Sequence, residues 1–250
     1  MAKKTTRKSS SERKPIAESK TRESPASPPK SSLYGRFITA WKTDKTLVIE
    51  KLGYFADTLA NDPQAPGHVH GLIRGHELLK NAKAWSTPVI GSGKSAKFRG
   101  LQWKLVMSYN GMELLIKSLL QKPGTDGLRE DDLSLVLAKL PLPELEPLNP
   151  PSLKRKFLAT WLVELDKDAV IQFLKTSRGD KAQIEKWLLE QQPIVTWRDA
   201  ILLTKALRNC TAHGALSPNK VEQWGLSEAF KQLPQALFKI DAAIFEVLGS

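Results

Sequence analysis

Leu207-Arg208-Asn209-Cys210-Thr211-Ala212-His213-Gly214 closes a segment whose opening is equally legible. Thr196-Trp197-Arg198-Asp199, just after Pro193, has the form of a capping box, and Ile201, Leu203 and Leu207 continue at helical spacing. The pattern predicts a helix from there to about Asn209. At its end an arginine, an amide and a histidine fall within six residues. A guanidinium grips a phosphate with two parallel hydrogen bonds, and an imidazole moves protons near neutral pH. The candidate catalytic residues are therefore Arg208, Asn209 and His213. Five positions of unbroken helix turn about 500°, which leaves Arg208 and His213 about 140° apart. Convergence on one phosphate needs a helix that ends or kinks between them, as Asn209, Thr211 and Gly214 would favour, or two protomers whose motifs face each other. A dimer would draw two histidines, one base and one acid, from a single motif. The plainer alternative is an arginine at a helix end and a hydrogen-bonded histidine in a turn, both structural.

Working outward, the apolar spacing is helical almost everywhere after residue 32. Leu33, Phe37, Trp41, Val48, Leu52, Phe55 and Leu59 form one rhythm that stops at Asn61-Asp62-Pro63. Further helices are expected from Gly71 to Trp85, from Phe98 to Gln121, near Asp131–Lys139, over Leu153–Lys175, over Asp180–Gln191 and from Pro234 to Leu248. The run Pro141-Leu142-Pro143 to Pro150-Pro151 breaks regular structure and reads as a long loop or an insertion at 141–151. Strand-like alternation is absent, so the fold class is all-α, a multi-helix bundle. The chain divides into a basic tail at 1–32, N-terminal helices and a linker at 33–97, and a helical domain at 98–250. The seven tryptophans fall mostly on apolar helix faces, which assigns Trp41, Trp103, Trp161 and Trp187 to the core.

The net charge is +12, and its distribution is uneven. Nine Lys and Arg residues against Glu12, Glu18 and Glu23 leave +6 on residues 1–32, so the other +6 is spread over the remaining 218 residues. That tail is rich in Ser, Pro and Lys, buries too little apolar surface to fold, and is expected to be a disordered, solvated arm. Its charge would add nonspecific attraction to nucleic acid or an acidic partner. The single Cys210 excludes an intramolecular disulfide framework. No apolar run reaches the ~18–20 residues that span a bilayer, and the N-terminus lacks a secretory core. A cytoplasmic protein with no membrane partner is the expectation.

The string Arg208-Asn209-x-x-x-His213 resembles the Arg-x4-6-His signature of the HEPN superfamily, all-helical domains that are often metal-independent ribonucleases. Members carry this string late in the domain, at the end of an apolar helix, with Asn a frequent second residue. An earlier long helix in the family often holds an acidic residue, and Tyr109-Asn110-Gly111-Met112-Glu113 looks similar. The resemblance covers roughly residues 98–248. It implies a HEPN-like fold, RNA as substrate, cleavage by 2′-OH attack, no metal and no cofactor. It also implies a homodimer, and a setting of growth arrest or antiviral defence, such as a toxin with an antitoxin or regulatory partner. The other reading is a catalytically inactive helical module that binds RNA or protein.

Three further patterns compete and lose. Pro88-Val89-Ile90-Gly91-Ser92-Gly93-Lys94-Ser95 has proline where a phosphate-binding loop needs its first glycine, and no strand feeds it. His68, His70 and His76 have no cysteine nearby and read as a polar loop leading into a helix rather than a metal site. Cys210 lies three residues before His213, but no orienting group or oxyanion hole accompanies it.

Overall fold

Asp44 divides the first helical stretch in two. It ends α1 (Leu33–Thr43) and caps α2 (Lys45–Gly53), its carboxylate accepting the Leu47 N–H at 3.0 Å. The computed structural model describes residues 32–56, 65–86, 93–122, 125–151, 178–188, 190–214 and 216–250. The helices that follow are α3 (Ala65–Ala84), α4 (Lys94–Leu119), α5 (Glu130–Leu137), α6 (Arg178–Leu188), α7 (Trp197–Ala212), α8 (Pro218–Gln223) and α9 (Ala229–Gly249). Among the described residues there is no strand, only one isolated antiparallel bridge between Leu148 and Ile194. The chain is an all-α bundle. Residues 32–250 form one unit, and the division expected at 97/98 falls inside α4. The tail to residue 31, the centre of the 86–97 linker, Trp161 and the helix expected over 153–175 lie outside the described residues.

The longest helix, α4, is the spine. Its C-terminal half, with Met112, Leu115, Ile116 and Leu119, packs into one apolar cluster with α1, α2, α3, α5 and the end of α9. Its N-terminal half carries Phe98 and Leu105 into a second cluster with α6, α7, α8 and the start of α9. The Pro-rich stretch is seated against this second cluster. Leu145 is buried, Trp197 Nε1 donates to the Pro143 carbonyl at 2.8 Å, and Trp187 Nε1 donates to that of Leu148 at 3.3 Å. What composition marks as a loop or insertion is therefore a strap held by two indole N–H groups.

Several boundaries move, each for a packing reason. The histidine segment is helical from residue 65 rather than a loop, because Val69 and Leu72 seat its first turns in the core. The last helix starts at Ala229, five residues before Pro234, because Phe230 and Leu233 are both buried and hold an extra turn. Trp103 is the clearest correction. It is 53% exposed, whereas Trp187 is 1% exposed. Leu105, two residues on, faces the core, and two helical positions turn ~200°, so Trp103 faces away.

α3 and α4 approach through glycine. A Cβ on Gly75 would lie 2.8 Å from the Gly111 carbonyl oxygen, and one on Gly111 would lie 2.7 Å from that of Gly75. Each helix backbone occupies the space the other's side chain would need. Gly67, also in α3, has nothing within 4 Å of such a Cβ. Gly111→Ala should therefore lower stability by ~1–3 kcal/mol through overpacking. Gly67→Ala should raise it by up to ~1 kcal/mol through helix propensity alone. Opposite shifts in thermal midpoint are the expected result.

Candidate functional site

α7 begins as its sequence indicates, with Thr196 Oγ1 accepting the Asp199 N–H at 3.1 Å. Its end differs. The helix continues through Asn209 to Ala212, and His213 is its C-cap, with the His213 N–H donating to the Asn209 carbonyl at 3.0 Å. Cys210 is 2% exposed and locks this turn into the second cluster. Gly214, at φ 72°, is the first residue to take the left-handed conformation that stops a helix. Of the two routes to convergence, a kink within one chain is not seen, since α7 is continuous from Arg208 to Ala212. His213 is exposed at the helix end, and Arg208 lies about 140° around the axis.

Arg208 joins a polar cluster between α4, α6 and α7. Its Nε and Nη2 donate to Asn110 Oδ1 at 3.1 and 2.9 Å, and Nη1 donates to Asn209 Oδ1 at 2.9 Å. The guanidinium carbon sits 5.6 Å from the centre of the Tyr109 ring. Asn209 Nδ2 donates onward to Asp180 Oδ2 at 2.9 Å, and the opposite oxygen of Asp180 is 3.8 Å from Lys205 Nζ. Three of the five guanidinium N–H groups are thus engaged. One on each Nη nitrogen remains, the number a bidentate phosphate contact requires. Asn209 acts as the link between guanidinium and carboxylate, holding the Arg208 plane in place. Glu113, the acidic residue one turn beyond Asn110, is paired with Lys117 at 2.9 Å.

Burial, then the nearby Glu113 and Asp180 charges, hold the Tyr109 hydroxyl far above its ordinary value, with Arg208 opposing them. It is a neutral platform, not a proton donor at neutral pH. Burial, with Asp180 adding to it, also pushes the Cys210 thiol up to about 12. That removes Cys210 as a nucleophile, since reactivity follows the thiolate.

Of the three residues the sequence singles out, Arg208 and Asn209 meet in the polar cluster and His213 stands outside it, while Asp180 and the role of Asn110 were missed. Asn110 had a signal: an amide inside an otherwise apolar stretch of α4. Asp180 had none, because only the packing of α6 on α7 brings it to Asn209. The three histidines of α3 do not converge either. His76 Nδ1 lies 3.0 Å from both carboxylate oxygens of Asp241 on α9, with the Tyr34 ring stacked on it at 3.8 Å, while His70 is exposed. Among the described residues no group of three His, Cys, Asp or Glu side chains is placed to hold a metal. None of the described helices is long and apolar enough to cross a membrane. Comparison with known proteins finds no matching family model, no matching curated protein and no matching solved structure.

Iodoacetamide at pH 8 should leave Cys210 unmodified in the folded protein, where the thiolate is ~10⁻⁴ of the total, and label it fully in denaturant. Intact-mass spectrometry reads both states, and rapid labelling of folded protein would show that the thiol is accessible and activated.

Proposed function

We propose that this chain is a HEPN-like, metal-independent endoribonuclease that works as a homodimer. The observation that carries the reading is the Arg208 guanidinium: braced by Asn110 and Asn209, laid on Tyr109, and left with two N–H groups to offer. Such a fixed planar donor pair stabilises the charge that develops on the non-bridging oxygens of a phosphodiester under attack. The ribose 2′-OH is the nucleophile. A histidine takes its proton, the new O–P bond closes a 2′,3′-cyclic phosphate, and the P–O5′ bond breaks. A second histidine protonates the departing 5′ oxygen. Because α7 is continuous and turns His213 away from Arg208, facing motifs of two protomers supply both histidines. Asn209 positions the guanidinium. By resemblance to HEPN proteins, the setting is a cytoplasmic toxin or antiviral effector held in check by an antitoxin or regulatory partner.

A second reading has its own support. Three of the Arg208 N–H groups are already satisfied inside the chain, as in a purely structural brace, which fits a catalytically silent module that binds RNA or protein. Purified protein with total RNA and excess EDTA separates the two. Cleavage that survives chelation and vanishes in His213→Ala supports the enzyme; intact RNA supports the module.

Arg208→Lys keeps the charge and loses the planar fork. It should lower the cleavage rate by ~10²-fold or more, on the order of 3 kcal/mol of transition-state stabilisation, with a much smaller change in RNA affinity. His213→Gln, which hydrogen-bonds but does not shuttle protons near neutral pH, should be at least as damaging. Near-normal cleavage by either folded variant would remove the catalytic assignment.

Mixing Arg208→Ala protomers with His213→Ala protomers tests the shared site. Heterodimer activity should differ clearly from that of either parent, read as initial rate against mixing ratio. Full activity from a monomer, established by sedimentation at assay concentration, would exclude composite sites.

A further inference from the structure

The most exposed tryptophan of the described chain borders a cavity beside the motif. Trp103 is 53% exposed, and with Arg99, Gln102 and Val106 of α4 it forms one wall of a cavity of about 470 Å³. The opposite wall comes from the residues on either side of His213, Thr211 and Ala212 before it and Gly214 after it, with Ser217 at the start of α8. The floor is held: Gln102 is 4% exposed and its side-chain amide donates to the Leu216 carbonyl, across the gap between α4 and the end of α7. Behind this wall Thr211 Oγ1 is buried and has no hydrogen-bond partner among the described residues.

Charge at this place is one-sided: among the residues that line the cavity Arg99 carries a charge and none is a carboxylate. The cavity thus combines an exposed indole face and an adjacent guanidinium, with no carboxylate in its lining. A folded nucleic-acid duplex keeps its bases stacked on one another and cannot present one to an indole. A single strand can, and every base has a π-face to offer.

We propose that this cavity binds one unpaired nucleotide of single-stranded RNA, its base stacked on Trp103 and its phosphate met by Arg99. The assignment rests on the reading of RNA as the ligand and names the form of RNA: unpaired chain rather than duplex. A nucleotide anchored next to the end of α7 delivers the adjoining phosphodiester toward the end that carries His213.

The test uses the full chain and a short 2′-O-methyl oligouridylate, which lacks the attacking hydroxyl, so that binding is read without cleavage. Fluorescence anisotropy in EDTA should show the single strand binding better than the same oligonucleotide annealed to its complement. Trp103→Ala should weaken binding by ~10-fold or more, the loss of one stacked base, and Trp103→Phe should recover most of it. Arg99→Ala should make the slope of log affinity against log salt shallower by ~0.7, one phosphate contact on a single strand. Trp103 is on the surface, so an unchanged thermal midpoint is expected for each variant. Equal affinity for duplex and single strand, or unchanged affinity in Trp103→Ala, would overturn the assignment. So would a proline-rich peptide that binds this site in place of the oligonucleotide. These outcomes are independent of cleavage. Stacking without nuclease activity would refute the enzyme and keep the nucleotide site, and cleavage unaffected by Trp103→Ala together with unchanged binding would do the reverse.

Discussion

The bundle depends on the close approach of α3 and α4, where Gly75 meets Gly111 with no room for a side chain on either. Because a Cβ on either residue would collide with the other's carbonyl oxygen, this register needs glycine at both positions. That register has consequences on both sides of α4. The residue after Gly75 is His76, which the crossing delivers to Asp241 of α9 and to the Tyr34 ring of α1. The residues before Gly111 are Tyr109 and Asn110, which turn toward α7 and receive Arg208. Glycine costs helix stability of roughly 0.5–1 kcal/mol relative to alanine, and here close packing of two backbones offsets it.

The Arg208 cluster is a different kind of interaction. It links three helices through directional bonds: Asn110 from α4, Asp180 from α6, and Arg208, Asn209 and Lys205 from α7. Half-buried polar networks of this kind add little net stability when satisfied and cost much when broken, so they act mainly to select one arrangement. In this cluster the selected arrangement is a guanidinium held in a defined plane at the molecular surface. A structural brace and a phosphate clamp share those bonds, and the two N–H groups left over are what separates them chemically.

The relative placing of Arg208 and His213 depends on where α7 stops. A helix ending at Asn209 would fold Arg208 and His213 toward each other within one chain. The burial of Cys210 carries the helix on to Ala212, and so leaves His213 about 140° around the axis from Arg208. The site proposed here is therefore built between protomers, with Trp103 as an anchoring surface on the flank of each. Metal-free cleavage with paired histidines and an arginine clamp is chemistry that such a two-fold arrangement supplies from one short string.

Much of this was legible in the chain itself. An apolar rhythm near 3.6, the Thr196 cap and the proline breaks determine an all-helical protein, because helix formation answers to local sequence. The candidate residues Arg208, Asn209 and His213 were equally visible as types at a spacing. Tertiary structure alone decided that the Pro-rich strap is held by Trp187 and Trp197, that α9 begins before Pro234, and that Trp103 faces outward. It also decided that Asp180 and Asn110 brace Arg208. The physical reason is the same in each case. A helix's own sequence sets which of its residues share a face, but which face is covered, and by whose polar groups, is set by neighbours distant in the chain.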